Sequence, residues 1–329
     1  MTQIRSPNRL KDSLGNFDSV KRVRTLHQKT CGEVLALRAD AFQSSSVPFD
    51  SIESYNEIVS RFRSRHGSDW CADRALIPLP PGFRFTVVMP VFNEQRTISE
   101  MIDRVCHVDL PMELVIVDDG STDGTRDELE KLFGEHSAAD GSGEKDGALR
   151  SNAFGAIDIR TLFHEVNQGK GAALKTGFQA ATGDVVGIQD ADQEYDPQEF
   201  AVLLTTLLSG EADVVYGSRF AGGNQTNSPA WHRFGNGLIT CCSNWMTGLN
   251  LSDAETCYKL VRKTILDEIV EGLTEKRFGI ELEMTAKLAK RQETRFDERP
   301  ISYHKRTYAE GKKIGVRDGF RALWCILKY

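Results

Sequence analysis

Three apolar runs, each broken off by a cluster of polar residues, constrain this chain more than any other feature. Phe85-Thr86-Val87-Val88-Met89-Pro90-Val91 ends in Phe92-Asn93-Glu94. Glu113-Leu114-Val115-Ile116-Val117 ends in Asp118-Asp119-Gly120-Ser121-Thr122-Asp123-Gly124-Thr125, and Val185-Val186-Gly187-Ile188 leads to Asp190-Ala191-Asp192. Short continuous apolar runs bounded by turn residues read as strands buried on both faces. Between them, Ile98, Met101, Ile102 and Val105 recur at helical spacing, and Gly169-Lys170-Gly171 opens a second helix that runs through Ala180. Strand, helix, strand, helix, strand is the pattern of a doubly wound α/β fold with a parallel sheet, which binds ligands at the carboxyl ends of its strands. All three polar clusters fall at those ends.

The clusters differ in chemistry. Asp190 and Asp192, one residue apart and released from a buried strand into Gln193-Glu194-Tyr195-Asp196-Pro197, offer hard oxygen ligands for Mg2+ or Mn2+ and leave positions open for phosphate oxygens. An isolated Asp-x-Asp is common in surface turns; what distinguishes this one is its company. Lys170, flanked by glycines at a helix start, suits an anion, because free backbone N–H groups and the helix dipole both favour negative charge there. An ordinary N-terminal turn is the bland alternative. Asp123 and Thr125 read as turn and capping residues, and Asp196 as the turn before Pro197.

Taken in order, Pro90-Val91-Phe92-Asn93-Glu94, Val117-Asp118-Asp119-Gly120-Ser121-Thr122-Asp123-Gly124-Thr125, Asn167-Gln168-Gly169-Lys170-Gly171-Ala172-Ala173-Leu174-Lys175 and Asp190-Ala191-Asp192 resemble the family 2 glycosyltransferases of GT-A fold. Val214-Val215-Tyr216-Gly217-Ser218-Arg219-Phe220, Ser252-Asp253-Ala254-Glu255-Thr256-Cys257-Tyr258-Lys259 and Arg306-Thr307-Tyr308-Ala309-Glu310-Gly311-Lys312-Lys313-Ile314 narrow the resemblance to the polyprenyl-phosphate branch, of the dolichol-phosphate mannosyltransferase type. It covers residues 84 to 329. The resemblance implies a metal-dependent inverting transfer of a hexose, mannose or glucose, from a GDP- or UDP-sugar to polyprenyl phosphate. In that reading Pro90, Phe92 and Glu94 line the base and ribose pocket, and Asp119, beside Asp118, hydrogen-bonds base or ribose. Lys170, Gly171 and Asp190 face the diphosphate, and Asp190, Asp192 and Glu194 hold Mg2+ or Mn2+. Arg219, Arg233, Asn236 and Arg306 grip the acceptor phosphate, a task suited to guanidinium because it binds phosphate bidentately and keeps its charge. Asp192, Arg219, Asp253 and Arg306 form the catalytic set.

A phosphate monoester is ionised at neutral pH and attacks without a general base; a hydroxyl acceptor would require one, and Asp253, with Glu255 behind it, is the expected carboxylate. A non-catalytic nucleotide-sugar-binding regulator is a further reading, against which the complete Asp190, Asp192 and Arg219 set argues. A sugar nucleotidyltransferase would need a glycine-rich basic loop where this chain has Val91-Phe92-Asn93-Glu94.

With 329 residues, 40% of them hydrophobic, the chain holds enough apolar material for one sizeable core plus an extra segment. A net charge of -6 argues against general nucleic-acid binding. Seven cysteines without Cys-x-x-Cys spacing suggest reduced thiols in the cytoplasm, with Cys241, Cys242 and Cys257 as packing residues. Residues 1–82 form a helical extension, with helices expected at Ser19–Ala39 and Ile52–Arg65, that packs on the catalytic domain or on a second subunit of a homo-oligomer. Residues 83–298 are the catalytic domain, and 134–156 are a mobile polar insertion. From Arg299 to Tyr329, eight Lys or Arg stand against Glu310 and Asp318, and Phe320, Leu323, Trp324 and Leu327 fall on one helical face. That is the pattern of a peripheral membrane contact.

Overall fold

The computed structural model describes residues 31–45, 49–133, 150–221, 230–306, 324–326 and 328–329. Helices α1 (Cys31–Ser45), α2 (Ile52–His66) and α3 (Ser68–Ala72) come first. Ser51 caps α2, accepting the Ser54 N–H at 3.1 Å, and the helix buries Tyr55, Ile58, Val59 and Phe62, one stripe at helical spacing. Residues 19–30 of the expected first helix lie outside the described residues, and α1 runs past Ala39 to Ser45.

Then β1 (Phe85–Val91), α4 (Ile98–Cys106), β2 (Met112–Asp118) and α5 (Thr125–Phe133) follow, with a hairpin of β3 (Ser151–Asn152) and β4 (Gly155–Ala156). Next come β5 (Asp158–Phe163), α6 (Lys170–Ala180), β6 (Val185–Ile188), α7 (Phe200–Leu208), β7 (Val214–Ser218) and α8 (Ala230–Thr247). The last elements are β8 (Lys259–Arg262), α9 (Lys263–Val270), α10 (Ile280–Lys290) and β9 (Phe296–Pro300). The sheet runs β5-β2-β1-β6-β8-β7-β9, parallel except for β8, which is antiparallel to both neighbours. The mostly parallel sheet matches the expectation, whereas the reversed β8 had no signal in its Lys259-Leu260-Val261-Arg262 stretch.

Strand alternation divides the core into two layers. Val87 and Met89 of β1 pack in a cluster with Tyr55, Ile58, Met101 and Leu203, so the N-terminal helices cover one face of the sheet. Val88 points the other way, with Val115, Leu174, Phe178 and Leu288. No helix among the described residues is long and apolar enough to cross a membrane.

One expectation is corrected by packing. Part of the 134–156 insertion is built into the fold: the Asn152 side-chain amide donates to the carbonyls of Val108 and Leu110 at 2.7 and 2.8 Å. The Phe154 ring lies 5.2 Å from Phe49 and 5.7 Å from Tyr55. One aromatic residue suffices to dock a polar segment; residues 134–149 lie outside the described residues. At the other end, Cys325 and Ile326 are buried in the second core layer, while Trp324, on the face expected at a membrane, is 62% exposed. Phe320, Leu323 and Leu327 lie outside the described residues.

Pro197–Glu199 form a single 3-10 turn in which Asp196 accepts the Gln198 N–H at 3.1 Å, the turn role read from sequence. Glu199 is buried and accepts the Ser302 N–H at 2.9 and 3.2 Å, fastening the chain after β9. Burial pushes its carboxyl up to about 8 against the opposing effect of Ser302.

Two outcomes follow from this packing. A Cβ at Gly177 would collide with Val88 Cγ1 between α6 and β1. Gly177→Ala, normally a gain of ~1 kcal/mol in a helix, should instead cost about 1–3 kcal/mol by overpacking, read from urea unfolding. Glu199 has a folded pKa above its unfolded value, so its contribution to stability is full below about pH 4.5 and lost as pH rises through 8. Glu199→Gln should therefore flatten the fall of unfolding free energy between pH 5 and 8 by at most ~1.4 kcal/mol per pH unit; an unchanged slope would contradict the assignment.

Candidate active site

Backbone bonds close the tips of β1 and β2 against each other. Asp119 N donates to the Val91 carbonyl at 2.8 Å, and Asn93, at φ +53°, accepts the Thr122 N–H at 2.8 Å. Asp123 accepts the Thr125 N–H at 3.0 Å and the Gln95 N–H at 3.2 Å, the turn role its spacing predicts. Pro90 and Phe92 are half-buried on this rim. Asp118 is fully buried, with the Ser121 N–H at 3.3 Å and Arg126 Nε at 3.5 Å, and burial raises its carboxyl pKa.

Asp119 does a different task from the one expected. Its oxygens accept the N–H groups of Gln168 at 3.0 Å and Gly169 at 2.7 Å and contact His164 Nδ1 at 2.7 Å. A buried carboxylate so satisfied shapes the loop that leads into α6 rather than offering its oxygens to a nucleotide. The start of α6 is likewise closed to phosphate: the Lys276 carbonyl accepts the Gly171 N–H at 2.9 Å and the Ala172 N–H at 3.3 Å. A Cβ at Gly169 or Gly171 would strike the 275–276 backbone, so the glycines serve this close approach. Glu283 holds that loop by accepting the Thr274 N–H at 3.0 Å and the Glu275 N–H at 2.7 Å.

Lys170 reaches inward. Its Nζ lies 2.8 Å from Asp190 Oδ1, 3.0 Å from Glu281 Oε1 and 2.9 Å from Cys257 Sγ. Cys257, expected to be a packing residue, therefore belongs to a polar cluster, and Cys241 is exposed on α8. Asp192 is pushed up to about 8, by burial first and then by the charges of Asp190 and Glu194. Such surplus negative charge fits a hard divalent cation, which Asp190 and Asp192 would hold. Glu194 is engaged elsewhere: Tyr303 Oη donates to Oε2 at 2.8 Å and Arg306 N donates to Oε1 at 2.9 Å. It fastens the segment after β9 rather than completing a triad of ligands, and no group of three or more His, Cys, Asp or Glu among the described residues is arranged to hold a metal.

The arginines are paired. Arg306 Nη1 and Nη2 lie 3.0 Å from Glu94 Oε2, joining the candidate acceptor residue to the candidate nucleotide residue. Arg219 grips Asp253 bidentately, Nε to Oδ2 at 2.7 Å and Nη2 to Oδ1 at 2.8 Å, and Asn236 Oδ1 accepts from Arg219 Nη2 at 3.3 Å. Asp253 is fully buried and both its oxygens are engaged, which removes it as a general base. Glu255 has the base-like environment instead: half-buried, without a hydrogen-bond partner among the described residues, and raised to about 7 by burial above all.

Beside Arg219 opens a cleft of about 470 Å³ lined by Phe220, Arg233, Phe234, Asn236, Gly237 and Ser252. It borders an apolar face of α8. Phe234 (75% exposed), Leu238 and Trp245 (80%) stand at i, i+4 and i+11, and exposed Cys241 fills i+7.

Sequence reasoning missed Glu281, His164 and Tyr303. Glu281 carried a usable signal, since it and Glu283 are acids interleaved with the apolar Ile280, Leu282 and Met284, all buried. His164 and Tyr303 carried none, because their partners lie 45 and 109 residues away in sequence.

The family described as Glycosyl transferase family 2 matches residues 86–270. The undecaprenyl-phosphate 4-deoxy-4-formamido-L-arabinose transferase of Pseudomonas savastanoi pv. phaseolicola is 31% identical over 197 residues, 59% of this chain and 51% of that protein. The low-salt glycan biosynthesis hexosyltransferase Agl6 of Haloferax volcanii is 30% identical over 241 residues, 72% of this chain and 51% of that protein. The chain thus spans about half the length of these relatives. Among solved structures, glucosyl-3-phosphoglycerate synthase from Mycobacterium tuberculosis, with Mn2+, uridine-diphosphate and phosphoglyceric acid, superposes with a TM-score of 0.54 at 16% identity, covering 94% of this chain and 86% of that one. That likeness concerns the fold. With more than half of its residues matched by the family and a GT-A-like sheet carrying the Asp190–Asp192 cluster at the end of β6, the chain belongs to glycosyl transferase family 2.

Proposed function

We propose that this chain transfers a hexose from a UDP- or GDP-sugar to the phosphate of a polyprenyl phosphate at the cytoplasmic membrane surface. The observation that carries the reading is the cleft lined by Arg233 and Asn236 that opens against the exposed apolar face of α8. A phosphate on a polyprenyl chain needs both features at once: cationic and amide donors for the head, and an apolar surface contiguous with lipid for the tail. The names of relatives that act on undecaprenyl phosphate agree with this choice.

In the mechanism, one oxygen of the lipid phosphate attacks the anomeric carbon in line. The new C–O bond forms as the bond to the nucleoside diphosphate breaks, and the anomeric centre inverts. The acceptor is already a dianion or monoanion, so no base is required. Arg233, Asn236 and the remaining Nη1 edge of Arg219 hold the attacking phosphate, and Asp253 positions Arg219. Asp190 and Asp192 would hold Mg2+ or Mn2+, whose chemistry here is charge neutralisation of the departing diphosphate. Glu94 takes the nucleoside side once Arg306 releases it. A second reading, transfer to a hydroxyl, has Glu255 rather than Asp253 as the base, favoured by its pKa of about 7.

The test is a transfer assay with a panel of labelled UDP- and GDP-sugars and a short polyprenyl phosphate, scoring label in the organic phase. Asp192→Ala should abolish transfer with the circular dichroism spectrum unchanged; turnover with unaltered metal dependence would sink the assignment. Arg233→Ala should raise KM for the lipid phosphate by ~10-fold or more, in keeping with a charged hydrogen bond worth about 1.5–3 kcal/mol, and leave KM for the nucleotide sugar unchanged. Equal changes in both constants would count against the cleft as the acceptor site.

A further inference from the structure

We propose that Lys170 is a tethered counter-cation that occupies Asp190 until a divalent ion arrives, and that Glu281 receives the displaced ammonium. Glu281 is then a positioning residue for the metal site. This rests on the assignment of Asp190 as a metal ligand. The three side chains are 12%, 17% and 5% exposed, so their charges must be balanced among themselves rather than by solvent.

The geometry is that of a shared cation. Lys170 Nζ stands 2.8 Å from Asp190 Oδ1, 3.0 Å from Asp190 Oδ2 and 3.0 Å from Glu281 Oε1, so one ammonium bridges the two carboxylates. The ammonium already touches Glu281, so drawing it off Asp190 does not strip it of a counter-ion. A divalent ion on Asp190 changes the balance, because it brings two positive charges to within ligand distance of the oxygen that Lys170 holds. In an ordinary Lys–Asp pair the displaced ammonium would be left buried without a counter-ion. Here Glu281 remains in contact, and its second oxygen, Oε2, is buried with no hydrogen-bond partner among the described residues, an acceptor available to the arriving ammonium. Cys257 Sγ, 2.9 Å from Nζ and 3.6 Å from Glu281 Oε1, lines the short path between the two positions as a weak acceptor. Glu281 sits on α10 among buried Ile280, Leu282 and Met284, where a carboxylate has no packing use.

The test measures the Kd for Mn2+ from the free-ion electron paramagnetic resonance signal, with Mn2+ alone and with UDP in excess, without sugar or acceptor. Glu281→Gln should weaken Mn2+ by about tenfold, because Lys170 then stays on Asp190, and Lys170→Met should tighten it by a similar factor. A through-space field effect would give the same two signs, so two further measurements discriminate. Glu281→Asp keeps the charge and shortens the reach; it should weaken Mn2+ as Glu281→Gln does, and wild-type affinity in this variant overturns the proposal without any need for Lys170→Met to fold. In the Lys170→Met background, Glu281→Gln should have no further effect, and additive effects overturn the proposal. Wild-type protein that binds no Mn2+ in either condition overturns this inference together with the metal assignment. Failure to label polyprenyl phosphate, with the Mn2+ pattern as expected, overturns only the acceptor reading.

Discussion

The site depends on the pairing of β1 between β2 and β6, both parallel to it. Val91 is level with Asp118 and Val88 with Ile188, so the chain leaves three adjacent strands on the same edge of the sheet. Parallel strands demand crossover helices, and these bury both faces of the sheet, which is why the runs are apolar throughout and why polar residues collect where the strands end. The opposite end is tied by structure alone. Buried Glu113 accepts from Thr182 Oγ1 at 2.7 Å and Arg160 Nη2 at 2.9 Å, and although burial pushes its carboxyl up, bonds from Thr86 and Thr182 hold it below the usual range. One end of the sheet is thus a fastening and the other a workplace.

At the working end, charges that suit substrates are paired with one another: Lys170 with Asp190 and Glu281, Arg306 with Glu94, Arg219 with Asp253. Buried or half-buried charges tolerate no other arrangement, because an unpaired ion in such a place costs several kcal/mol. The physical consequence is exchange: any charged ligand that enters must replace a partner of like charge. Arg219 and Asp253 are the exception, since a bidentate pair with Asp253 fully buried has no ready substitute. That pair is fixed in place, with Asn236 bonded to both of its members and the exposed Arg233 beside it.

Legibility followed the range of the interactions. The strands ending at Val91, Asp118 and Ile188, the helix from Lys170, the cap-like turns at Asp123 and Asp196 and the Asp190–Asp192 cluster were all readable, because each depends on neighbours within a few residues. Glu194, Asp119 and Asp253 were read by type as ligands or base, and the fold gave their oxygens to Tyr303 and Arg306, to Gln168 and Gly169, and to Arg219. The 150–156 stretch looked polar and loose, yet Asn152 and Phe154 dock it, since one amide and one ring in the right place outweigh a dozen polar neighbours.

By itself the sequence determined the doubly wound α/β class, the order of the polar clusters and the membership of the acidic pair, because hydrophobic periodicity and local turn chemistry are written in consecutive residues. Only the tertiary structure decided which carboxylates remain available. Asp253 is neutralised by a residue 34 positions earlier, Lys170 is shared with a carboxylate more than a hundred positions later, and the reversed β8 brings Cys257 and Glu255 into the same cluster. Burial and pairing across such separations decide which groups in the site are engaged with one another, and no local pattern encodes them.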